Sequence, residues 1–266
     1  MDAADAVARL AGRPVAAARR LSGGDLSTVY QVTLADGGRL IAKQAGNAAA
    51  EADMLRAIAA TGAPAPRVLA AADGWLVMEE IAAGGSVGAA WPDLAEVLAR
   101  LHAATGADYG WPVDHAFGPV AIDNSPAVDW PAFWGARRLL CHVPHVPAAL
   151  GRRIERLAAR LSDHLPARPA TALLHGDLWG GNVLVSGARI AALIDPACYY
   201  GDREVDAAML TLFDRPPQSF LDSLGLDTGW QARQPIYRLW PLLVHLRLFG
   251  VSYADSVGTA LGAVGC

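Results

Sequence analysis

Three side chains near the middle of the chain have the types and spacing of a phosphoryl-transfer centre. In LLHGDLWGGNVLV, residues 173–185, four residues separate Asp177 from Asn182, and a short apolar hairpin then leads to Asp195. A carboxylate at Asp177 can accept the proton of an attacking hydroxyl. Asn182 and Asp195, on adjacent strands, can hold magnesium against nucleotide phosphates. Mg2+ prefers hard oxygen ligands and keeps several waters, so two side-chain oxygens suffice. His175, two residues before Asp177, reads as a brace for the loop rather than a proton carrier.

The elements that must position these groups follow from periodicity and turn chemistry. NVLV and IAALID, joined by Ser186-Gly187, predict a hairpin ahead of Asp195. Upstream, residues 2–11 read as a helix, and residues 27–44 as two strands separated by Asp36-Gly37-Gly38. Lys43 lies at the end of that hairpin. Residues 51–62 predict a helix opening on Glu51, with Met54, Leu55 and Ile58 on one face. The prolines of APAPRVL force an extended connector, and GWLVMEEI (74–81) reads as a strand. The glycine-rich segment 82–92 is a linker. Beyond it a helix over DLAEVLARLHAATG, an irregular stretch at 107–135, a long helix at about 148–165 and helices from about 203 onward are expected. The prediction is an α+β, two-lobed chain. It has a strand-rich N-terminal lobe (1–81), a hinge (82–92) and a larger, mostly helical C-terminal lobe (93–266).

Composition narrows the partners. The 266 residues are 53% hydrophobic and 18% charged with a formal charge of −4, a packed globular balance without an electrostatic case for nucleic acid or anionic membrane. Arg152, Arg153, Arg156 and Arg160 alternate with Ile154, Leu157 and Leu161, which is the solvated face of an amphipathic helix. Cys141, Cys198 and Cys266 are odd in number and widely spaced, so a reducing compartment is expected rather than a disulfide framework. CHVPH (141–145) groups a cysteine with two histidines, but it contains a proline and lacks a second ligand pair. The N-terminus starts acidic without a long apolar run, and no stretch reaches about 18 apolar residues. A cytoplasmic protein is expected.

The Asp-x4-Asn spacing resembles the catalytic loop of protein kinases, and Asp195-Pro196-Ala197 stands where kinases carry Asp-Phe-Gly. His-Gly-Asp in place of His-Arg-Asp resembles the small-molecule kinases related to aminoglycoside phosphotransferases. The closer resemblance is to the fructosamine kinase (ketosamine kinase) family. It is carried in order by LSGGDLSTVY, LLHGDLWGGNVLV, IDPACYYGDREVDAAML and YRLWPLLVHLRLFGVSY, from about residue 6 to 254. The resemblance implies a protein-kinase-like fold with a nucleotide cleft between the lobes. It also implies ATP- and Mg2+-dependent phosphorylation of a ketoamine, free or on a protein lysine, at the sugar's 3-hydroxyl. The 3-phosphate then decomposes, which is deglycation repair. By motif, Asp177 is the base and Asn182 and Asp195 bind magnesium. Lys43 with Glu51 handles phosphate, and Gly23 and Gly24 form the turn over the nucleotide. The main chain of Met78, Glu79 and Glu80 meets adenine, and Trp179 walls the sugar pocket.

The chain departs from the family at several places. Asp25 stands where some members carry a redox-active cysteine, so thiol control at that turn is not expected. Only seven residues separate Lys43 from Glu51, a short connection for the family. His115 replaces a usual asparagine in a shortened segment that the resemblance puts beside the acceptor.

Other residues admit two readings. Glu51 pairs with Lys43 or simply complements its helix dipole. His245 is a core histidine or part of the acceptor pocket, and Trp230 and Trp240 are core or pocket-wall aromatics. Asp202, Arg203, Glu204 and Asp206 form a buried network behind the metal or merely start a helix. His102 reads as structural. Other acceptors (an aminoglycoside or an amino alcohol) and a silent nucleotide-binding pseudokinase are the alternatives, and a monomer or weak dimer is expected.

Overall fold

The structure, a computed structural model, describes residues 1–21 and 27–266. Gly23 and Gly24 therefore lie outside the described residues. A helix α1 (Ala3–Leu10), capped by the Asp2 carboxylate accepting from the Asp5 N–H at 2.9 Å, leads into an antiparallel sheet. Its strands β1 (Val15–Arg20), β2 (Thr28–Leu34), β3 (Arg39–Gln44), β4 (Val68–Ala72) and β5 (Trp75–Glu79) lie in the order β1-β2-β3-β5-β4, and α2 (Ala48–Ala60) connects β3 to β4. Side chains alternate across a strand, and both faces of this sheet are apolar. Leu40, Ala42, Trp75 and Val77 pack with Ala3, Ala6 and Val7 of α1. Ile41, Leu76 and Met78 face Ala48, Ala52 and Leu55 of α2. By the same alternation Lys43 shares the α2 face with Ile41.

The chain continues through α3 (Trp91–Ala103), a small hairpin of β6 (His115–Phe117) and β7 (Val120–Ile122), α4 (Trp130–Phe133) and α5 (Ala148–Ala158). Next come β8 (Ala172–Leu174), the hairpin of β9 (Val183–Ser186) and β10 (Arg189–Leu193), and β11 (Tyr199–Gly201), which pairs antiparallel with β8. Helices α6 (Glu204–Phe213), α7 (Gln218–Ser223), α8 (Trp230–Phe249) and α9 (Ala254–Ala263) complete it. Among the described residues no helix is long and apolar enough to cross a membrane.

Contacts group residues 1–100 with 181–197 as one unit and 101–180 with 198–266 as the other. The sequence division placed the β9–β10 hairpin with residues 93–266, whereas its bonds run to the N-terminal elements. Gly84 N–H donates to the Val185 carbonyl at 2.9 Å and Leu193 N–H to that of Pro64 at 2.8 Å. Asp93 accepts from the Ile190 N–H at 2.6 Å and pairs with Arg189 at 2.9 Å. The second unit has its own core, built from Trp130, Phe133, Trp134, Tyr199, Tyr237 and Trp240 with the aliphatic faces of α5, α8 and α9.

Several elements differ from the sequence expectation. Strand β1, VAAARR, has no alternation to announce it because it is an edge strand with five of six residues exposed. The stretch 107–135 contains β6, β7 and α4 rather than only irregular chain. The helix expected to reach 165 ends at Ala158, and a single tight turn at Leu161–Asp163 follows. Pro166 disfavours helix in the residue before it.

Candidate active site

Helix α2 begins at Ala48, earlier than expected, so the short Lys43–Glu51 connection already contains helix and turns Glu51 back toward the sheet. Lys43 Nζ donates to both Glu51 carboxylate oxygens at 2.8 Å and to Asp195 Oδ1 at 2.8 Å. Lys43 is 7% and Glu51 3% exposed, whereas the Asp195 side chain is 44% exposed. Two carboxylates around one ammonium leave a net negative charge. Burial pulls the Lys43 pKa down, but the charges of Glu51 and Asp195 outweigh it and leave it above its ordinary value. Burial, with Asp195 adding to it, raises the Glu51 pKa above the usual carboxylate value against the opposing pull of Lys43. The outer carboxylate is therefore the one a cation can take without exposing the buried pair.

Asn182 and Asp195 stand at one end of the β9–β10 hairpin. Val183 and Leu193 are cross-strand partners, and the Ile194 N–H closes the end by donating to the Asn182 carbonyl at 3.0 Å. Asp195 has φ 52°, in the left-handed region, although a proline follows it. A residue before proline is normally held to extended backbone, so the hairpin and the Lys43 contact over-determine this position. An amide oxygen and a partly exposed carboxylate, set at the same end of one hairpin, are hard donors and fit a magnesium ion that keeps several waters.

In the second unit, β8 delivers His175, Gly176 and Asp177. Gly176 has φ 79°, a conformation in which a side chain is strained. The loop hangs on Asp206 in the first turn of α6. Its carboxylate accepts from the His175 N–H at 2.9 Å and the Gly176 N–H at 3.0 Å, and His102 Nε2 contacts Oδ2 at 2.9 Å. His175 is fully buried, and its Nδ1 accepts from the Asp177 N–H at 3.3 Å. Burial would raise the Asp206 pKa, but the hydrogen bonds and charges of the histidines outweigh it, so the carboxyl lies below the ordinary value. A depressed pKa means stability that is present above the unfolded-state value and lost as pH falls through the folded one. Asp206→Asn is therefore expected to lose about 1–3 kcal/mol at neutral pH. In thermal melts the gap from the parent should persist down to about pH 4 and close only in stronger acid.

Trp179 is 41% exposed and meets Phe213 edge-on with centroids 6.3 Å apart. Phe213 lies 5.0 Å from the His245 ring, which in turn meets Phe249 at 5.4 Å and Tyr253 at 5.1 Å. His245 Nδ1 donates to the Pro241 carbonyl at 2.7 Å. Burial lowers its pKa, so the ring is neutral with Nε2 as the acceptor nitrogen. Sequence reasoning missed Asp214, which accepts from the Gly180 N–H at 2.7 Å. No spacing signal links two positions brought together by the end of α6. Sequence reasoning took His102 as structural, and its ring contacts the Asp206 carboxylate that holds the His-Gly-Asp loop.

Asp202 occupies a different setting. Tyr237 O–H donates to its Oδ2 at 2.7 Å, and the Glu204 N–H donates to its Oδ1 at 3.0 Å. Trp130 Nε1 donates to the Tyr237 oxygen at 2.9 Å, and Glu204 is clamped by Arg233 at 2.6 and 2.8 Å. Both Asp202 oxygens are thus engaged in joining α6 to α8. Trp230 is half-buried at the start of α8 and, among the described residues, makes no ring contact with Trp179 or His245. Met78 and Glu79 lie on β5 opposite Ile41 and Leu40. The Glu79 N–H donates to the Arg67 carbonyl at 3.0 Å, and Glu80 pairs with Arg39 at 3.0 Å.

The sequence matches the fructosamine kinase family over residues 2–264. A probable ketoamine kinase of Lactiplantibacillus plantarum is 33% identical over 261 residues, covering 91% of each chain. The crystal structure of a candidate fructosamine-3-kinase from Thermobifida fusca aligns with a TM-score of 0.88 at 33% identity, over 98% of this chain and 97% of that one. An aminoglycoside phosphotransferase solved with AMP-PNP and hygromycin B shares the fold, with a TM-score of 0.67 at 19% identity over 94% and 92% of the two chains. The α+β, bilobal, kinase-like architecture expected from the sequence is the one observed. With its buried lysine–glutamate pair, its hairpin-end asparagine and aspartate and its anchored His-Gly-Asp loop, the chain belongs to the fructosamine kinase family and is a kinase.

Proposed function

We propose that the protein transfers the γ-phosphoryl group of ATP to the 3-hydroxyl of ketoamines, fructosamine or ribulosamine adducts free or on a protein lysine, as a deglycation step. The observation that carries this reading is the Lys43–Glu51–Asp195 ion-paired group, in one unit with Asn182, in a chain of this family. The choice of the 3-hydroxyl is supported by the similarity to the Thermobifida fusca protein, a candidate fructosamine-3-kinase.

In the proposed mechanism Asp177 orients the 3-hydroxyl and takes its proton as the oxygen attacks the γ-phosphorus in line. Lys43, kept protonated by its two carboxylates, binds the α- and β-phosphates. Asn182 and Asp195 would hold magnesium, which neutralises charge on the β- and γ-phosphate oxygens when bound. The family motif assigns Gly23 and Gly24, outside the described residues, to the phosphates and the peptides of Met78, Glu79 and Glu80 to adenine, so residues 1–81 handle the nucleotide. Residues 93–266 supply Asp177 and the acceptor wall, after the hinge at 82–92. There Trp179 covers the sugar's C–H face and the Nε2 of His245 accepts from a sugar hydroxyl, while Asp202 ties the start of α6 to α8 through Tyr237 and Trp230 opens α8.

The test is ADP release with Mg·ATP and four acceptors: a fructosamine, a ribulosamine, an aminoglycoside and a simple amino alcohol. Turnover is expected with one or both ketoamines. Turnover of the aminoglycoside alone would replace the acceptor class. ATP binding without any turnover would identify a pseudokinase.

A further inference from the structure

Immediately after the proposed base the chain runs Leu178-Trp179-Gly180, and the end of α6 meets it with two consecutive residues of opposite character. Phe213 sets its ring against Trp179, and Asp214 bonds the Gly180 N–H through Oδ2. Both rings are exposed, Trp179 by 41% and Phe213 by 38%. Among the described residues no cation pairs with Asp214, and its other oxygen has no hydrogen-bond partner. Among the described residues Arg215, the next residue, pairs with no carboxylate either. The neighbouring imidazole of His245 is held neutral by burial, so it does not cancel the charge. Two open aromatic faces beside an unpaired carboxylate are the chemistry that recognises an organic ammonium ion. The rings supply quadrupole attraction and the carboxylate supplies charge.

We propose that Asp214, with Trp179 and Phe213, seats the protonated amine of the acceptor and selects cationic ketoamines over uncharged sugar derivatives. This inference rests on the ketoamine reading above. It adds a specificity residue that touches the part of the substrate away from the reacting hydroxyl. Reach is sufficient: three residues from Asp177 to Gly180 span at most about 10–11 Å. In a ketoamine the nitrogen on C1 lies only four bonds from the 3-oxygen. Phe249, 44% exposed and 5.4 Å from His245, continues the apolar surface outward to receive the amine's substituent.

The experiment compares two acceptors at saturating Mg·ATP, 1-deoxy-1-propylamino-fructose and its uncharged isostere, 1-O-propyl-fructose. The variant is Asp214→Asn, whose amide oxygen still accepts from the Gly180 N–H. The kcat/KM for the amine is expected to fall about five- to tenfold, through KM, with that for the ether unchanged. Asp214→Ala, which also releases the loop, should depress both acceptors. Equal loss on amine and ether in Asp214→Asn would make Asp214 only a loop anchor, and no loss on either would remove it from the site. Both results overturn the inference while leaving the ketoamine reading intact. Failure of the parent protein to phosphorylate the amine at all would overturn the two together.

Discussion

Asp177→Asn is expected to bind ATP as the parent does and to turn over at least a hundredfold more slowly. The substitution keeps the side chain's size and leaves the backbone geometry in place. The Asp177 N–H still donates to His175 Nδ1, and the loop still hangs on Asp206 through the His175 and Gly176 N–H groups. What is lost is the basic oxygen proposed to take the hydroxyl proton, and removal of a positioned general base costs about 10²–10⁴ in rate. Calorimetric titration with a non-hydrolysable ATP analogue and a coupled ADP assay separate the two quantities. Turnover within a few fold of the parent would remove Asp177 from the base role. Weakened nucleotide binding with unchanged turnover would move it to the nucleotide site.

Lys43→Met is expected to cost both stability and activity, for different reasons. Among the described residues the ammonium alone donates to the two Glu51 carboxylate oxygens inside the sheet–α2 interface, so its removal strands a buried carboxylate. Breaking a buried pair in this way costs about 3–5 kcal/mol. Loss of the charge proposed to bind the phosphates is expected to lower kcat/KM for ATP by about a hundredfold or more. The double variant Lys43→Met/Glu51→Gln distinguishes the effects. Its melting temperature should recover part of the loss because no buried charge is left unpaired, while its kcat/KM should stay low. Recovery of both together would mean that Lys43 acts only as a structural counter-ion.

What the sequence made legible was whatever local periodicity or a short motif encodes. The β2–β3 hairpin follows from alternation around Asp36-Gly37-Gly38, and the β9–β10 hairpin, which ends in Asp195, follows from two apolar runs around Ser186-Gly187. The lysine on β3 was legible from its place at the end of that hairpin, ahead of a helix opening on Glu51. What stayed hidden depends on long-range approach. Strand β1 is made by pairing with β2, because VAAARR carries little strand preference of its own. Strand β11 is three residues long and is made by its pairing with β8 and by the Gly110–Tyr200 bridge.

The site divides in the same way. The Asp206 bonds to the loop span about thirty residues of sequence, yet the charged run DREVD marked the region as more than a helix start. Asp214 had no such marker, since LFDRPP reads as an ordinary helix end until the loop at Gly180 is placed beside it. Asp202 shows the converse. Its place beside the motifs suggested a network behind the metal or a helix start, while its two oxygens are occupied by Tyr237 and the Glu204 N–H.

The central claim is that phosphate goes from ATP to the 3-oxygen of a ketoamine. The most direct measurement is two-dimensional proton–phosphorus NMR of the product formed from 1-deoxy-1-propylamino-fructose and Mg·ATP. The account predicts a single new phosphomonoester coupled to the C3 proton, which then decays with release of free propylamine. A phosphate coupled to any other sugar proton, or a 3-phosphate formed equally by Asp177→Asn, would contradict it.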